Sequence, residues 1–105
     1  MILVTTDFIT GKEFVTLGLV RGSTIQCKHI GKDFGASFKQ LVGGELKGYT
    51  EMMVEAREIA TARMIQDAQR LGADAIIGVR YASSAVMDSA AEVLAYGTAV
   101  KITNG

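Results

Sequence analysis

Cys27 and His29 are separated by one residue, Lys28, so on an extended strand the thiol and the imidazole point to the same face. Thiolate with imidazole is a sound pair for zinc, copper or a heavier soft ion. They are the single cysteine and the single histidine of the chain, whereas a closed structural site takes about four ligands. Carboxylates such as Glu45, Glu51 or Glu55, or a neighbouring subunit, would have to complete the set. The plainer alternative is a semi-buried thiol packed as a small hydrophobe beside an exposed histidine at a strand end. That alternative carries more weight, because free cysteine is commonly buried simply as an apolar residue.

Other groups offer less. Glu51, Glu55 and Glu58 share one face of a helix by their spacing and could face a hard cation, but such cations need more oxygen ligands than one helix supplies, so a solvated acidic face is the better reading. Arg80 and Glu92 are expected across a hairpin from each other, where pairing is favoured over anion binding. Met52, Met53 and Met64 read as core. The chain has no G-x-S-x-G, G-x-x-x-x-G-K-[ST], G-x-G-x-x-G or H-E-x-x-H. Gly43-Gly44 follows a helix instead of opening one, and is read as a turn and not a phosphate cradle.

These side chains must be positioned by a small set of elements. Ile2 to Thr5 is a short apolar strand. The polar turn Thr10 to Glu13 leads to a second strand from Phe14 that continues through Cys27, with Gly18 and Gly22 marking a bend, a bulge or a close backbone approach. Phe34, Phe38, Leu41 and Val42 recur at helical spacing and predict a short helix over 30–42, ended by Gly43-Gly44, with a loop as far as Tyr49. A long helix is expected from an N-cap at Thr50 to Leu71-Gly72, with Met53, Ala56, Ala60, Met64, Ala68 and Leu71 as its apolar stripe. Ala75 to Tyr81 is an interior strand, Ser83-Ser84 and Asp88-Ser89 bracket a loop, and the last strand pairs back as a hairpin. In that last strand Val93, Ala95, Gly97 and Ala99 form a small-residue face on which the helix should dock. The order β, β, α, α, β, β predicts an α+β domain, residues 1–105, with helices on one face of a mainly antiparallel sheet.

A chain of 105 residues allows one core. Apolar residues make up 49% of it before its 12 glycines are counted, whereas a usual soluble domain reaches about 45–50% with glycine included. The excess predicts burial between subunits, and so a homo-oligomer. Eleven basic and eleven acidic side chains cancel with no long like-charge run, which argues against nucleic acid and anionic membranes as partners. The apolar start, Met1 to Val4, is too short for a signal or a membrane span, and the lone cysteine suits a reducing compartment, so a cytoplasmic location is expected.

GGELKGYTEMM from Gly43, AREIATARM within the long helix, LGADAIIGVRY and EVLAYGTAV together resemble the YbjQ-like family, small bacterial and archaeal proteins catalogued as uncharacterised or as heavy-metal-binding. The resemblance implies a dodecin-like subunit, a sheet wrapped over a long helix, assembled as a homopentameric ring in which added short strands help to join subunits. It supplies no substrate and no binding residues; polar or basic residues usually occupy the 27–29 segment, so Cys27 and His29 are departures from the pattern. The expected function is a non-catalytic oligomeric binding protein with an ion or small molecule, a soft or heavy metal among the candidates, held between subunits. The alternative is a small enzyme with an interfacial active site.

Overall fold

The computed structural model describes residues 1–27, 41–42, 45–87 and 90–105. Its elements are β1 (Ile2–Leu3), β2 (Phe14–Cys27), β3 (Leu41–Val42), β4 (Glu45–Leu46), α1 (Lys47–Arg70), β5 (Ala75–Met87) and β6 (Ala90–Ile102). The main sheet runs β1-β5-β6-β2, antiparallel except that β1 lies parallel to β5, and β3 with β4 forms a separate short pair. This is the α+β domain expected from the sequence, with one described helix.

Several boundaries differ from those expected. Most of the short helix expected over 30–42 lies outside the described residues, as do His29 and Gly43-Gly44, but its last two positions, Leu41 and Val42, pair as strand with Leu46 and Glu45. The long helix begins at Lys47 and not at Thr50, directly after β4, so no acidic side chain stands in its first turn. Ser83-Ser84 does not open a loop: β5 runs on through both to Met87, because the pairing with β6 continues past a shift after Ala85. The helix does end where expected. The Ala73 N–H reaches back to the Ala68 carbonyl at 3.1 Å while Gly72 takes a φ of 77°, a left-handed angle that glycine adopts at little cost.

The helix docks on the small face of β6. Ala56, Ala60, Met64 and Ala68, each four residues after the last, are fully buried against Val20, Ile76, Val79, Val93, Ala95 and Ala99. Met52 is also buried and Met53 partly so, whereas Leu71, expected in the stripe, is 42% exposed. Because alanine is the usual residue of the stripe, the helix backbone comes very near the sheet. At Gly22 an added Cβ would lie 2.3 Å from the Met64 nitrogen and 2.4 Å from the Ala60 oxygen, both backbone atoms. Gly18 serves differently: it follows a register shift after Thr16, at a φ of 140°.

Two polar ties clamp the helix to the outer edge of β2. The Arg63 Nη1 donates to the Ser23 carbonyl at 2.7 Å, and the Asp67 carboxylate accepts the Arg21 N–H at 3.1 Å and also the Arg70 guanidinium. These bonds fill part of an edge that would otherwise invite another strand. Arg70 first, then the Arg21 N–H, hold the Asp67 carboxyl below the ordinary carboxylate range.

On the opposite face a smaller core of Ala75, Ile77 and Val100 is covered by Val4, Ile9, Phe14 and Ile102. Asp74 closes that end of the sheet, accepting the Ile102 N–H at 2.8 Å and the Lys101 Nζ at 3.2 Å, and the Ile102 bond and then Lys101 lower its carboxyl below the usual range. A carboxyl so lowered contributes stability above the unfolded-state value, about 4, and loses it as pH falls through the folded-state value. Asp74→Asn keeps an acceptor for the N–H but does not titrate. Urea midpoints measured from pH 5 to pH 3 should therefore fall less steeply for this variant than for the parent.

Candidate functional site

The helix lies mainly over β2 and β6 and meets β5 less, at Ile76, Val79 and Tyr81. That offset leaves a groove of about 540 Å³ between the helix flank and the outer strand, lined by Val54, Arg57, Glu58, Thr61, Ala62, Ile65 and Tyr81. On the helix side the lining residues Val54, Glu58, Thr61 and Ile65 follow one another at steps of four, three and four, a second stripe on a helix whose first stripe faces the core. On the strand side Tyr81 faces the helix because its partner on β6 is Ala95, a core residue.

One hydrogen-bond chain fixes the wall of the groove. The Thr61 hydroxyl donates to the Arg57 carbonyl at 2.7 Å, which leaves its oxygen to accept from the Tyr81 hydroxyl at 2.8 Å. The phenol is thereby satisfied, and the half-exposed ring presents an apolar edge. Arg57 and Glu58 are the charged lining groups. The arrangement suits an apolar or aromatic group held against the Tyr81 ring and oriented by one charge of either sign.

The groove meets an open strand edge. β1 covers β5 at Ala75 and Ile76, and backbone bonds from Val4 and Thr6 extend this cover to Gly78 and Val79. Over residues 80–87 the outer edge of β5 has no partner strand among the described residues, and the side chains there are exposed, Met87 to 67%.

The residues singled out from the sequence fall elsewhere. Cys27 ends β2 opposite Ala90 and is exposed, not semi-buried. Its proposed partner His29 lies outside the described residues. Among the described residues no three or more of His, Cys, Asp and Glu are grouped to hold a metal, so the donors in hand fall short of closed coordination within one chain. Glu51, Glu55 and Glu58 are exposed on the helix. Arg80 and Glu92 are not cross-strand partners: Arg80 stands opposite Tyr96 and Glu92 opposite Ser84 and Ile25. β5 runs on to Met87, which pairs with Ala90, and the ladder from there sets Ser84 opposite Glu92 and Arg80 opposite Tyr96. Arg80 instead donates from Nη1 to the carbonyls of Thr5 and Val79, each at 2.9 Å. Thr61 and Tyr81 carry no signal of their own in the sequence; the second helical stripe through Val54 and Ile65 is the trace of the groove there.

Comparison with known proteins places this geometry. The model of the YbjQ family, described as "Putative heavy-metal-binding", matches residues 1–103. The chain belongs to the YbjQ family. Its relatives within that family include a UPF0145 protein of Clostridium novyi (strain NT), 68% identical over 102 residues that span 97% of this chain and 99% of the other. A UPF0145 protein of Methanosarcina acetivorans is 58% identical over 105 residues, 99% of each chain. A crystal structure of a DUF74-family protein from Pediococcus pentosaceus matches the fold with a TM-score of 0.65 at 18% identity, over 98% of both chains. In this YbjQ-family chain no described helix is long and apolar enough to cross a membrane.

Proposed function

We propose that this YbjQ-family chain is a non-catalytic homo-oligomeric binding protein whose ligand sits in the groove beside Tyr81, closed by a neighbouring copy. The observation that carries the reading is the edge of β5 over residues 80–87, which has no partner strand among the described residues and lies next to that groove. The contrast with β2 supports it: helix side chains occupy the outer edge of β2 at Arg21 and Ser23, whereas nothing described does so for β5. A long open edge bordered by apolar side chains is a template for another chain.

Two apolar surfaces on opposite sides of the slab also need cover. One is the outer flank of the helix with Val54 and Ile65. The other is the sheet face turned away from the helix, where Leu19 is 66% and Ile25 58% exposed. A two-fold dimer would cover one of them, while a head-to-tail contact covers both, and forms a ring where its rotation closes. The family resemblance supports a pentameric ring of dodecin-like subunits as the form of that assembly. A small organic molecule with an apolar ring suits the groove lining. Sedimentation velocity at micromolar concentration should give an assembly, and mass spectrometry of freshly purified protein should find a retained small molecule; a well-behaved monomer would sink the reading.

The family description favours a heavy metal ion as a second occupant; in this chain the soft donors are Cys27 and His29, which depart from the family pattern, and the next subunit would complete the set. Zinc titration of a Cys27→Ser, His29→Ala variant should then show affinity lowered at least about tenfold, the scale on which even outer-shell changes weaken metal sites. Unchanged affinity rejects these two residues as ligands.

A further inference from the structure

On the sheet face turned away from the helix, three strands place Arg21, Tyr96 and Arg80 side by side: Arg21 is the register partner of Tyr96, and Tyr96 of Arg80. All three are exposed, with exposed Leu19 on the same face. Arg80 is held in place by the Thr5 and Val79 carbonyls. The ion pairs among the described residues are Arg70 with Asp67 and Lys101 with Asp74, and neither includes Arg21 or Arg80. Asp67, whose carboxylate takes the Arg21 N–H, is already engaged by Arg70. The acid on this face of β6, Glu92, stands two rows away, beside Ile25 and Ser84.

The outer side of the helix is charged the other way. With 3.6 residues per turn and Ala56, Ala60 and Met64 facing the sheet, Glu51 and Glu55 fall on the opposite side together with Ala62, and Glu58 stands at its border with the groove, whose lining it joins. The basic residues Arg57, Arg63 and Arg70 lie toward the flanks. Three like charges at spacings of four and three repel one another, and no described residue neutralises them. The molecule is thus a slab with a basic, partly apolar sheet face on one side and an acidic, partly apolar helix face on the other.

We infer that the Arg21, Tyr96, Arg80 row of one copy receives the Glu51, Glu55, Glu58 face of the next, so that charge fixes the polarity of a head-to-tail contact. This rests on the oligomeric reading proposed above and adds to it which faces meet. Burying two guanidiniums against an uncharged surface is unfavourable, so a copy that covers this row has to bring acids to it, and the helix carries three that are exposed, Glu51, Glu55 and Glu58. Charge complementarity of this kind sets register and suppresses the wrong pairing of faces.

The test is charge exchange followed by mixing. One variant carries Arg21→Glu with Arg80→Glu, the other Glu51→Lys, Glu55→Lys and Glu58→Lys. In sedimentation velocity each alone should associate at least about tenfold more weakly than the parent at about 0.1 M salt, where screening is moderate, and an equimolar mixture should regain association because each supplies the face the other lacks. Persistence of the parent assembly in either variant, or failure of two folded variants to associate on mixing, overturns the inference while leaving an associated parent as evidence for the oligomer. A monomeric parent instead removes the oligomeric reading itself. Should a reversed variant fail to fold, Arg21→Gln with Arg80→Gln serves: parent association must weaken as salt rises and that of the variant must not, and equal salt dependence overturns the inference.

Discussion

Gly22→Ala should lose about 3 kcal/mol of stability or more, the upper end of what overpacking costs. The new methyl carbon would stand 2.3 Å from the Met64 nitrogen, 2.4 Å from the Ala60 oxygen and 2.7 Å from the Arg63 carbonyl carbon. These are helix backbone atoms, so no side chain can rotate away. The helix as a whole would have to lift, and lifting it stretches the Arg63 bond to Ser23 and the Asp67 bond to Arg21. A change of that size lowers the melting temperature of a domain this small by more than about 10 °C. The control is Gly11→Ala, where nothing lies within 4 Å but φ is +75°; only the left-handed angle is then penalised, by about 1–2 kcal/mol. Thermal melts at equal protein concentration should rank parent, Gly11→Ala and Gly22→Ala in that order. A Gly22→Ala protein that melts with the parent would show that the helix is not seated on β2 as described.

Met64→Ala should cost roughly 2–5 kcal/mol, the range for emptying a buried long side chain, and fall in the upper half of it. Met64 is the largest fully buried side chain among the described residues. Its neighbours on the helix stripe, Ala60 and Ala68, are too small to lean into the space it leaves. Urea unfolding should show a lower midpoint with an unchanged slope, as expected when stability changes and the exposed area does not. Met53→Ala, at a partly buried position beside the same core, should cost visibly less.

Both predictions come from features that the sequence displayed in part. Gly22 was marked as a bulge or close approach, and Met64 as a member of the core stripe; both readings stand because a small-residue strand face opposite an alanine-rich helix face leaves few other ways to bury both. The hairpin of β5 with β6 was legible for the same reason. The sequence was misleading where a local signal was outvoted by pairing. Leu41 and Val42 have helical spacing with Phe34 and Phe38, yet they pair with β4. Ser83-Ser84 looks like a loop, yet the ladder with β6 holds it extended. Arg80 and Glu92 seemed matched by charge, yet β5 runs on to Met87 opposite Ala90, which sets Ser84 against Glu92 and leaves Arg80 opposite Tyr96.

The candidate site was less legible than the fold. The groove exists because the helix sits to one side of the sheet, over β2 and β6, and helix offset leaves no trace in the periodicity of either element. Thr61 and Tyr81 meet across 20 positions of chain, through a hydrogen bond that depends on that offset. Amino-acid order alone determined the class of fold, the two faces of the helix and the apolar surplus, since these follow from composition and from repeats of two and 3.6 residues, which are local properties of the chain. Only the tertiary structure decided which edge stays open and which charges stand in one row, because strand order and register are set by contacts between segments distant in sequence, and a shift of one residue turns every side chain to the other face.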